Sequence, residues 1–338
     1  MGRKELTREW ISKASIYPHR IVTYVVPEGG WQHSARQRLN YSNLSDNDTE
    51  GVLSIKARRK MEKAIMWLHF GAKAKRIFDH ELQKSFTFHI NFITLTLPAK
   101  QMHSDKEITN RCLGNWLDVA KKMFGLRRYV WKAETQENGN IHYHLVTDTY
   151  IHHKDLRRTW NKSLELLGYI SAFEFKHRHR NAPTEQVKSI KNVRNVASYV
   201  ACYMSKNRPF KCIGKLIESK GVRREILYGS DEYRAVNNWK ELGKVVGSII
   251  GGYSRPVNGR LWGCSRELSQ IKPVKVGEDT HDFSVLRDFI ERANLKRIDL
   301  DNACLFVGKV ASEAKKHQDD IYQALEIVAG KTAIAAED

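Results

Sequence analysis

The sequence predicts an α+β fold in which a β-sheet carries helices on one face. Segments rich in aromatic and β-branched residues, which are typical of strands, alternate with segments of helical periodicity. The pair Asn138-Gly139 lies between two strand-like segments and is a strong signal for a β-hairpin. Strands and helices that alternate in this way favour an α+β or mixed sheet covered by helices.

The elements before the hairpin follow from apolar periodicity and from residues that begin or end helices and strands. Ser54 can cap a basic helix, Pro98 stops a strand of the composition SFTFHINFITLTL, and Gly125 ends a second helix. We therefore predict a helix over residues 53–77, a strand over residues 85–97 and a helix over residues 109–124.

The hairpin itself and the elements after it follow from the same signals. Gly168 should stop a helix, and Asn192 or Asn195 can cap one that runs to Lys206. The predicted strands are residues 129–135, 141–147, 169–175 and 187–190. The further predicted helices are residues 154–167, 283–294 and 311–329.

We predict three parts along the chain. Residues 1–84 form a basic N-terminal accessory segment, residues 85–210 the ordered central domain, and residues 211–338 a C-terminal accessory or DNA-binding region. Both flanking parts are expected to be mainly helical, because their clearest signals are helical.

The charge balance favours nucleic acid as the partner. Lys and Arg number 57 against 38 Asp and Glu, which gives a formal net charge of +19. Such an excess attracts polyanions and speeds their encounter, although it says nothing about chemistry. The five cysteines are dispersed without a CxxC pair, and no apolar segment resembles a signal peptide or a membrane span. We therefore expect a cytoplasmic protein that does not enter a membrane.

The motif His142-Tyr143-His144 is the strongest signal for a metal site. Residues i and i+2 of a strand point to the same side, so both imidazoles can face one cation. Two histidines leave the shell incomplete, and a carboxylate is the expected third ligand. Such a site keeps positions open for water and for a phosphoryl oxygen. A polar sheet face without any metal is the competing interpretation.

The register of the hairpin selects the carboxylate. A three-residue loop of Asn138, Gly139 and Asn140 would place Glu134 opposite His144 and on the histidine face. A loop of two or four residues would turn Glu134 to the other face. We therefore predict Glu134 as the third ligand, with Glu137 as the alternative.

Tyr199 and Tyr203 are the candidate nucleophiles. They are four residues apart, so on a helix they share one face, and Lys206 extends the same stripe. A phenol is a poor nucleophile at neutral pH, but a nearby cation favours the phenolate. Attack of a phenolate on a DNA phosphate would leave the protein on the 5′ phosphate and release a 3′ hydroxyl. Packing or an aromatic surface is the alternative reading of two such tyrosines.

Three motifs in this order resemble the replication initiators of the HUH endonuclease superfamily, which start rolling-circle replication. Phe92–Pro98 resembles the family's strand in the central sheet, and His142–His144 resembles its paired histidines, with Glu134 eight residues before the first of them. Tyr199–Lys206 is most similar to the two-tyrosine initiators of tailless single-stranded DNA phages. The similarity covers residues 85–210.

The resemblance implies a central antiparallel sheet with a ferredoxin-like or RRM-like palm, a Mg²⁺ or Mn²⁺ ion, and nicking of single-stranded DNA at an origin. One tyrosine can hold the 5′ end while the other cuts the regenerated origin, and we predict that Lys206 orients or stabilises the phosphate or the phenolate. Residues 329–332 resemble the end of an ATP-binding loop, but Leu325 stands where its first glycine would be, so a host helicase and polymerase are expected partners. Tyr143 departs from the family, which usually has a plainer hydrophobic residue there.

Two other classes of protein compete with this interpretation. A conjugative relaxase or a single-strand transposase would use related chemistry, but relaxases often carry an N-terminal tyrosine and a third histidine, which we do not find. A basic DNA-binding regulator without catalysis would bind DNA and not cut it in Mn²⁺. A structural nucleoprotein is a weaker alternative.

Overall fold

A computed structural model describes most of the chain outside residues 191–254. The described residues are 10–27, 53–80, 83–136, 138–190, 215–219, 222–226, 235–236, 255, 257–277, 281–300 and 303–330. The chain forms two compact units: Asp48–Ser269 is one, and Met1–Asn47 together with Gln270–Asp338 is the other. The functional division at residues 84 and 210 stays a prediction.

The strands of the described residues are β1 (Trp10–Tyr17), β2 (Arg20–Pro27), β3 (Lys75–Asp79), β4 (Lys84–Phe88), β5 (Ile90–Leu95), β6 (Tyr129–Thr135), β7 (Ile141–Thr147), β8 (Glu185–Ile190), β9 (Lys215–Ser219), β10 (Val222–Ile226), β11 (Ala235–Val236), β12 (Trp262–Cys264), β13 (Val274–Gly277), β14 (Lys296–Leu300) and β15 (Ala303–Val307). The helices are α1 (Ile55–Gly71), α2 (Asp105–Glu107), a π-helix (Ile108–Leu113), α3 (Gly114–Phe124), α4 (His153–Glu165), α5 (Tyr169–His177), α6 (Arg266–Gln270), α7 (His281–Arg292), α8 (Val310–Lys316) and α9 (Asp320–Val328).

The 48–269 unit is built on a five-stranded sheet with the order β12-β6-β7-β5-β8. Each neighbouring pair in this sheet is antiparallel. The strands β6 and β7 have the bounds that the sequence predicts, and they lie next to each other near the centre. The α+β class is therefore confirmed, with an antiparallel central sheet.

Helices cover one face of this sheet through a cluster of large aromatic side chains. The rings of Trp116 and Trp160 meet edge to face, and Trp160 meets Tyr143 of β7 in the same way. All three side chains are fully buried. The indole N–H of Trp116 donates to Thr159 Oγ1 at 3.1 Å, and that of Trp160 donates to the carbonyl of Thr96 at 2.9 Å. These bonds satisfy the polar atoms that burial would otherwise leave unpaired.

The other unit contains a second antiparallel sheet, with the order β13-β1-β2-β15-β14. The prediction that the flanking segments are mainly helical was wrong for the described residues. Residues 10–27 form a hairpin whose strands carry β-branched residues on both sides of a Pro18-His19 turn. Strands as short as these have no helical periodicity, which is the signal on which the prediction for the flanking segments rests.

Residues 169–175, predicted as a strand, belong to helix α5. Tyr169, Ile170 and Phe173 are buried at helical spacing, whereas the residues between them are exposed. The Glu165 carboxylate accepts the backbone N–H groups of Ile170 and Ser171 at 3.1 and 2.9 Å. This carboxylate satisfies two N–H groups of the first turn, which aromatic content alone does not reveal.

Three other elements are shorter than predicted. Helix α1 begins after Ser54, whose side chain accepts from the Ala57 N–H at 3.1 Å, but it ends at Gly71. The strand predicted over residues 85–97 is divided into β4 and β5 at His89. The helix predicted over residues 311–329 is divided into α8 and α9, because Gln318 has a left-handed backbone and the Asp319 side chain caps α9.

Among the residues that the structure describes, no helix has both the length and the apolar composition needed to cross a bilayer.

A buried carboxylate connects the tip of the β6–β7 hairpin to the helical layer. Asp105 is 3% exposed and accepts two bonds from the Arg255 guanidinium, at 2.6 and 2.7 Å, as well as the backbone N–H of Asn258 at 2.8 Å. Arg255 also donates to the carbonyl of Gly139 in the hairpin loop at 3.0 Å. Gln101 joins the same network, because its Nε2 donates to Asp105 and its Oε1 accepts the Ile141 N–H. The loop between β6 and β7 is therefore held by several charge-assisted bonds.

We predict that Asp105→Asn lowers the free energy of unfolding by roughly 2–3 kcal/mol at pH 7, the range for lost hydrogen bonds to a charged group with a partly exposed partner. Burial alone would raise the pKa of Asp105, but bonds from Arg255, Gln101 and Asn258 outweigh it and hold the pKa below its usual value. A depressed pKa stabilises the fold above the carboxyl's unfolded pKa, and this contribution is lost as the pH falls through the folded value. We therefore expect the difference in the free energy of unfolding between variant and parent, measured by urea unfolding, to be smaller at pH 3 than at pH 7.

Asp118→Asn is the matched control. Its carboxylate pairs with Lys121 on the surface, with 67% of the side chain exposed. We expect a change within about 0.5 kcal/mol, as for ordinary surface substitutions. Equal effects of the two substitutions would contradict the role given to Asp105.

Candidate metal centre

The β6–β7 hairpin places the predicted ligands on one face of the sheet. Glu134 pairs directly with His142, and Lys132 pairs with His144. Directly paired residues of an antiparallel ladder point to the same side. Glu134, His142 and His144 therefore share a face, as the sequence predicts.

The predicted register was wrong by two residues, since Glu134 lies opposite His142 and not opposite His144. The Gln136 N–H donates to the Asn140 carbonyl at 2.8 Å, so Gln136 and Asn140 close the hairpin and Asn140 does not belong to the loop, contrary to the prediction. Gly139 has a φ of 83° and occupies the last loop position, where a three-residue hairpin needs a left-handed residue. A shift of two residues keeps every side chain on its face, which is why the choice of Glu134 survives the error.

Three ligand atoms converge on one point. The Nε2 atoms of His142 and His144 lie 3.5 and 3.3 Å from Oε2 of Glu134. The ring centroids of the two histidines are 4.5 Å apart. Of the described residues, these three form the cluster whose ligand atoms lie within 4.8 Å of one another. Two imidazoles and a carboxylate are a donor set that suits divalent transition metals.

Residues of β5 fix the orientation of the His144 ring. Thr94 lies opposite His144 in the ladder, and its Oγ1 is 3.1 Å from Nδ1 of the ring. The ring of Phe92 stacks on His144 with centroids 5.2 Å apart. With Nδ1 hydrogen-bonded to Thr94, Nε2 faces Glu134 and can offer its lone pair to a cation. Sequence reasoning included both residues in a strand motif but gave neither a role at the site.

Lys132 is a further residue of the site that sequence reasoning missed. Its side chain is fully buried, and its Nζ pairs with Oε1 of Glu134. This pair occupies one carboxylate oxygen and leaves the other facing the histidines. The available signal was the two-residue spacing from Glu134, since a lysine at that position of a buried strand needs an anionic partner.

The electrostatics favour the protonation states of a metal site. Burial alone would raise the pKa of Glu134, but the contacts with His142 and His144 and the charge of Lys132 hold it well below its usual range. Burial lowers the pKa of His144, with a smaller opposing effect from the Glu134 carboxylate. An ionised carboxylate and a neutral imidazole are the forms that bind a metal ion.

The fit to a metal is also supported by His142. Its Nε2, which faces Glu134, is buried and has no hydrogen-bond partner among the residues described. A buried polar atom without a partner costs free energy, so such an atom is retained where it serves a purpose. The group Glu134, His142 and His144 can therefore hold a metal ion, as the donor set and its geometry allow.

Tyr143, the residue between the two histidines, points away from the cluster. It is fully buried on the helix-covered face, where its hydroxyl is 2.9 Å from Oγ1 of Thr109. Burial raises the pKa of this phenol, so it stays protonated. The bulky residue at this position serves packing and leaves the histidine face unobstructed.

The predicted nucleophiles lie outside the described residues. Tyr199, Tyr203 and Lys206 belong to residues 191–214, and Glu137, the alternative ligand, is also outside. Their roles stay predictions.

We predict that Mn²⁺ raises the thermal unfolding midpoint of the protein, because a ligand that binds only the folded state stabilises it. Glu134→Gln and His142→Ala should each remove at least about nine-tenths of the Mn²⁺ affinity, since each deletes one of three ligands. Differential scanning calorimetry with and without Mn²⁺ measures the shift, and isothermal titration gives the affinity.

His153→Ala is the control, because His153 is an exposed histidine of the same unit beside a second histidine, His152. It should keep the full shift. An unchanged Mn²⁺ response in Glu134→Gln and His142→Ala would rule out a metal at this cluster.

A comparison with protein families finds a match over the part of the chain that holds the metal centre. No curated protein and no solved structure gives a significant match. Residues 90–208 match the model of a family described as Replication-associated protein ORF2/G2P. The matched range contains β5, the whole β6–β7 hairpin with its histidines, and the sequence positions of Tyr199 and Tyr203. This match indicates a replication-associated protein.

Proposed function

We propose that this protein initiates rolling-circle replication by nicking and rejoining single-stranded origin DNA. The observation that carries the proposal is the convergence of the Nε2 atoms of His142 and His144 on Oε2 of Glu134, inside the region that matches a replication-associated family. The resemblance to HUH endonucleases gives this cluster a chemical purpose. The net charge of +19 supports a polyanionic substrate.

Glu134, His142 and His144 would hold Mg²⁺ or Mn²⁺, which supplies a Lewis acid for a phosphoryl oxygen of the DNA. Lys132 holds the Glu134 carboxylate through Oε1 and keeps it ionised beside the histidines. Thr94 holds the His144 ring through Nδ1. These two residues position the ligands and need not touch the DNA.

Tyr199 and Tyr203 would supply the nucleophiles. The phenolate oxygen forms a bond to the phosphorus, and the bond from phosphorus to the 3′ oxygen of the preceding nucleotide breaks. The 3′ oxygen leaves with the electron pair and takes up a proton, while the 5′ end stays on the tyrosine. The reverse reaction rejoins a strand without an external energy source. Lys206, three residues after Tyr203, would stabilise the phenolate or orient the phosphate.

Two tyrosines allow successive transfers. While one tyrosine holds the 5′ end, the other can cut the origin that replication regenerates. The basic N-terminal segment and the C-terminal region would bind origin DNA, and a host helicase and polymerase would provide unwinding and synthesis. The protein would act in the cytoplasm of a bacterial host.

We predict that the protein cuts single-stranded origin DNA in Mg²⁺ or Mn²⁺ and remains attached to the 5′ end. Denaturing gels should show the protein–DNA adduct, and mass spectrometry should locate it on Tyr199 or Tyr203. The double substitution Tyr199→Phe/Tyr203→Phe should reduce cutting by at least about 10³-fold, as loss of a covalent nucleophile does in other enzymes. Each single substitution should alter cutting or strand transfer and leave DNA binding nearly intact.

Tyr150→Phe is a matched control, because Tyr150 packs against Phe86 and Phe88 through its ring and phenylalanine keeps those contacts. It should cut like the parent. DNA binding without any cleavage in Mn²⁺, or an adduct on a residue other than these two tyrosines, would refute the proposal.

A further inference from the structure

A cavity lies between helix α1 and strand β12 in the 48–269 unit. Its volume is about 660 Å³, and residues of α1 and of the segment 259–269 line it. We call it the α1–β12 cavity. Its lining includes Ala57, Lys60, Ala64, Arg260 and Trp262.

Helical spacing explains the recess. Ala57, Lys60 and Ala64 are three and four residues apart, so they share one face of α1. The two alanines remove side-chain bulk at each end of this face, and Lys60 reaches outward between them. On the other side, β12 is an edge strand of the central sheet, which leaves Trp262 beside open space. Trp262 is half-buried, so part of its indole is available to a ligand in the cavity.

The charge of the cavity has one sign. The charged residues that line it are Lys60, Lys63 and Arg260, and none of the described lining residues carries a carboxylate. Arg260 is held at the edge, because its Nε donates to the carbonyl of Trp262 at 3.0 Å and its guanidinium lies 5.6 Å from the centre of the Trp131 ring. Cations around an aromatic ring are suited to a phosphate together with a stacked base.

Trp262, which lines the cavity, shares its face of the sheet with the metal centre. Trp262 pairs with Lys132, and Lys132 pairs with His144, so the three residues form one row across β12, β6 and β7. Two strand spacings separate the first and last of them, which is about 10 Å. A DNA strand whose phosphate lies at the metal centre can therefore place a neighbouring nucleotide in the cavity.

We propose that the α1–β12 cavity binds one unpaired nucleotide of the single-stranded DNA substrate, with its base against Trp262 and its phosphate between Lys60 and Arg260. This inference rests on the proposed function for its substrate. A base within a duplex is already stacked and paired, so the cavity selects single strands. The site thus adds a contact beside the scissile position and helps to set the register of the strand.

The test measures binding separately from cutting. Full-length protein is titrated against a fluorescent single-stranded oligonucleotide and against the matching duplex in EDTA, and anisotropy gives the affinities. Trp262→Ala should weaken single-strand binding by roughly 5- to 150-fold, the range for loss of one base–aromatic stack. Trp262→Phe keeps an aromatic face and should stay within about threefold of the parent.

Lys60→Gln should weaken binding and reduce the slope of log affinity against log salt by about 0.7, the value for one lost contact with a single-strand phosphate. Lys122→Gln is the matched control, because Lys122 is an exposed lysine of α3 that does not line the cavity. It should leave both the affinity and the slope unchanged. Photocrosslinking of the unaltered protein to an oligonucleotide with 5-iodouracil should label the peptide that contains Trp262.

Parent-like binding by Trp262→Ala and Lys60→Gln, with crosslinks elsewhere, would overturn the proposal. So would free deoxynucleotides that compete as strongly as the oligonucleotide, since the cavity would then serve a small molecule. The outcome is distinct from that of the cleavage experiment. If the parent never cuts DNA but Trp262→Ala weakens DNA binding, the cavity proposal stands and the nuclease proposal fails. If the parent cuts DNA but Trp262→Ala binds DNA like the parent, the nuclease proposal stands and the cavity proposal fails.

Discussion

The pairing of Glu134 with His142 in the β6–β7 hairpin is the constraint on which the site depends. This register brings one carboxylate oxygen within 3.5 Å of both histidine Nε2 atoms. A slip of one residue would turn Glu134 toward the helix-covered face, where Tyr143 packs, and separate the ligands. The geometry of a turn thus decides whether three polar side chains form a metal centre.

The fold stabilises this register at the tip of the hairpin and along strand β7. At its tip, Arg255 connects the Gly139 carbonyl to the buried Asp105. Below the tip, Tyr143 is anchored in the aromatic layer by the Thr109 hydroxyl. The ligands and Lys132 lie on one face of β6 and β7, and Tyr143 with its aromatic packing lies on the other. This separation lets the site keep charged residues such as Lys132 close to the core, each with a partner.

Much of this arrangement could be predicted from local sequence. The bounds of β6 and β7 and the shared face of the ligands follow from strand periodicity and from the Asn138-Gly139 signal. The position of the loop could not be predicted with the same precision, because a glycine can occupy several loop positions. The bond between Gln136 and Asn140 decides between them. Helix α5 depends on the Glu165 carboxylate, which precedes the helix and accepts N–H groups of its first turn, and local propensity does not contain this contact. Lys132 had a local signal, its two-residue spacing from Glu134, but the spacing alone does not show that the lysine is buried and paired with a metal ligand.

The most direct test of the metal centre is a crystal soaked in Mn²⁺ and measured for anomalous scattering. We predict an anomalous peak about 2.0–2.3 Å from Nε2 of His142, Nε2 of His144 and Oε2 of Glu134, the usual range of such bonds. A peak coordinated elsewhere, or none at these three atoms in a crystal where Mn²⁺ is bound at other sites, would contradict the account.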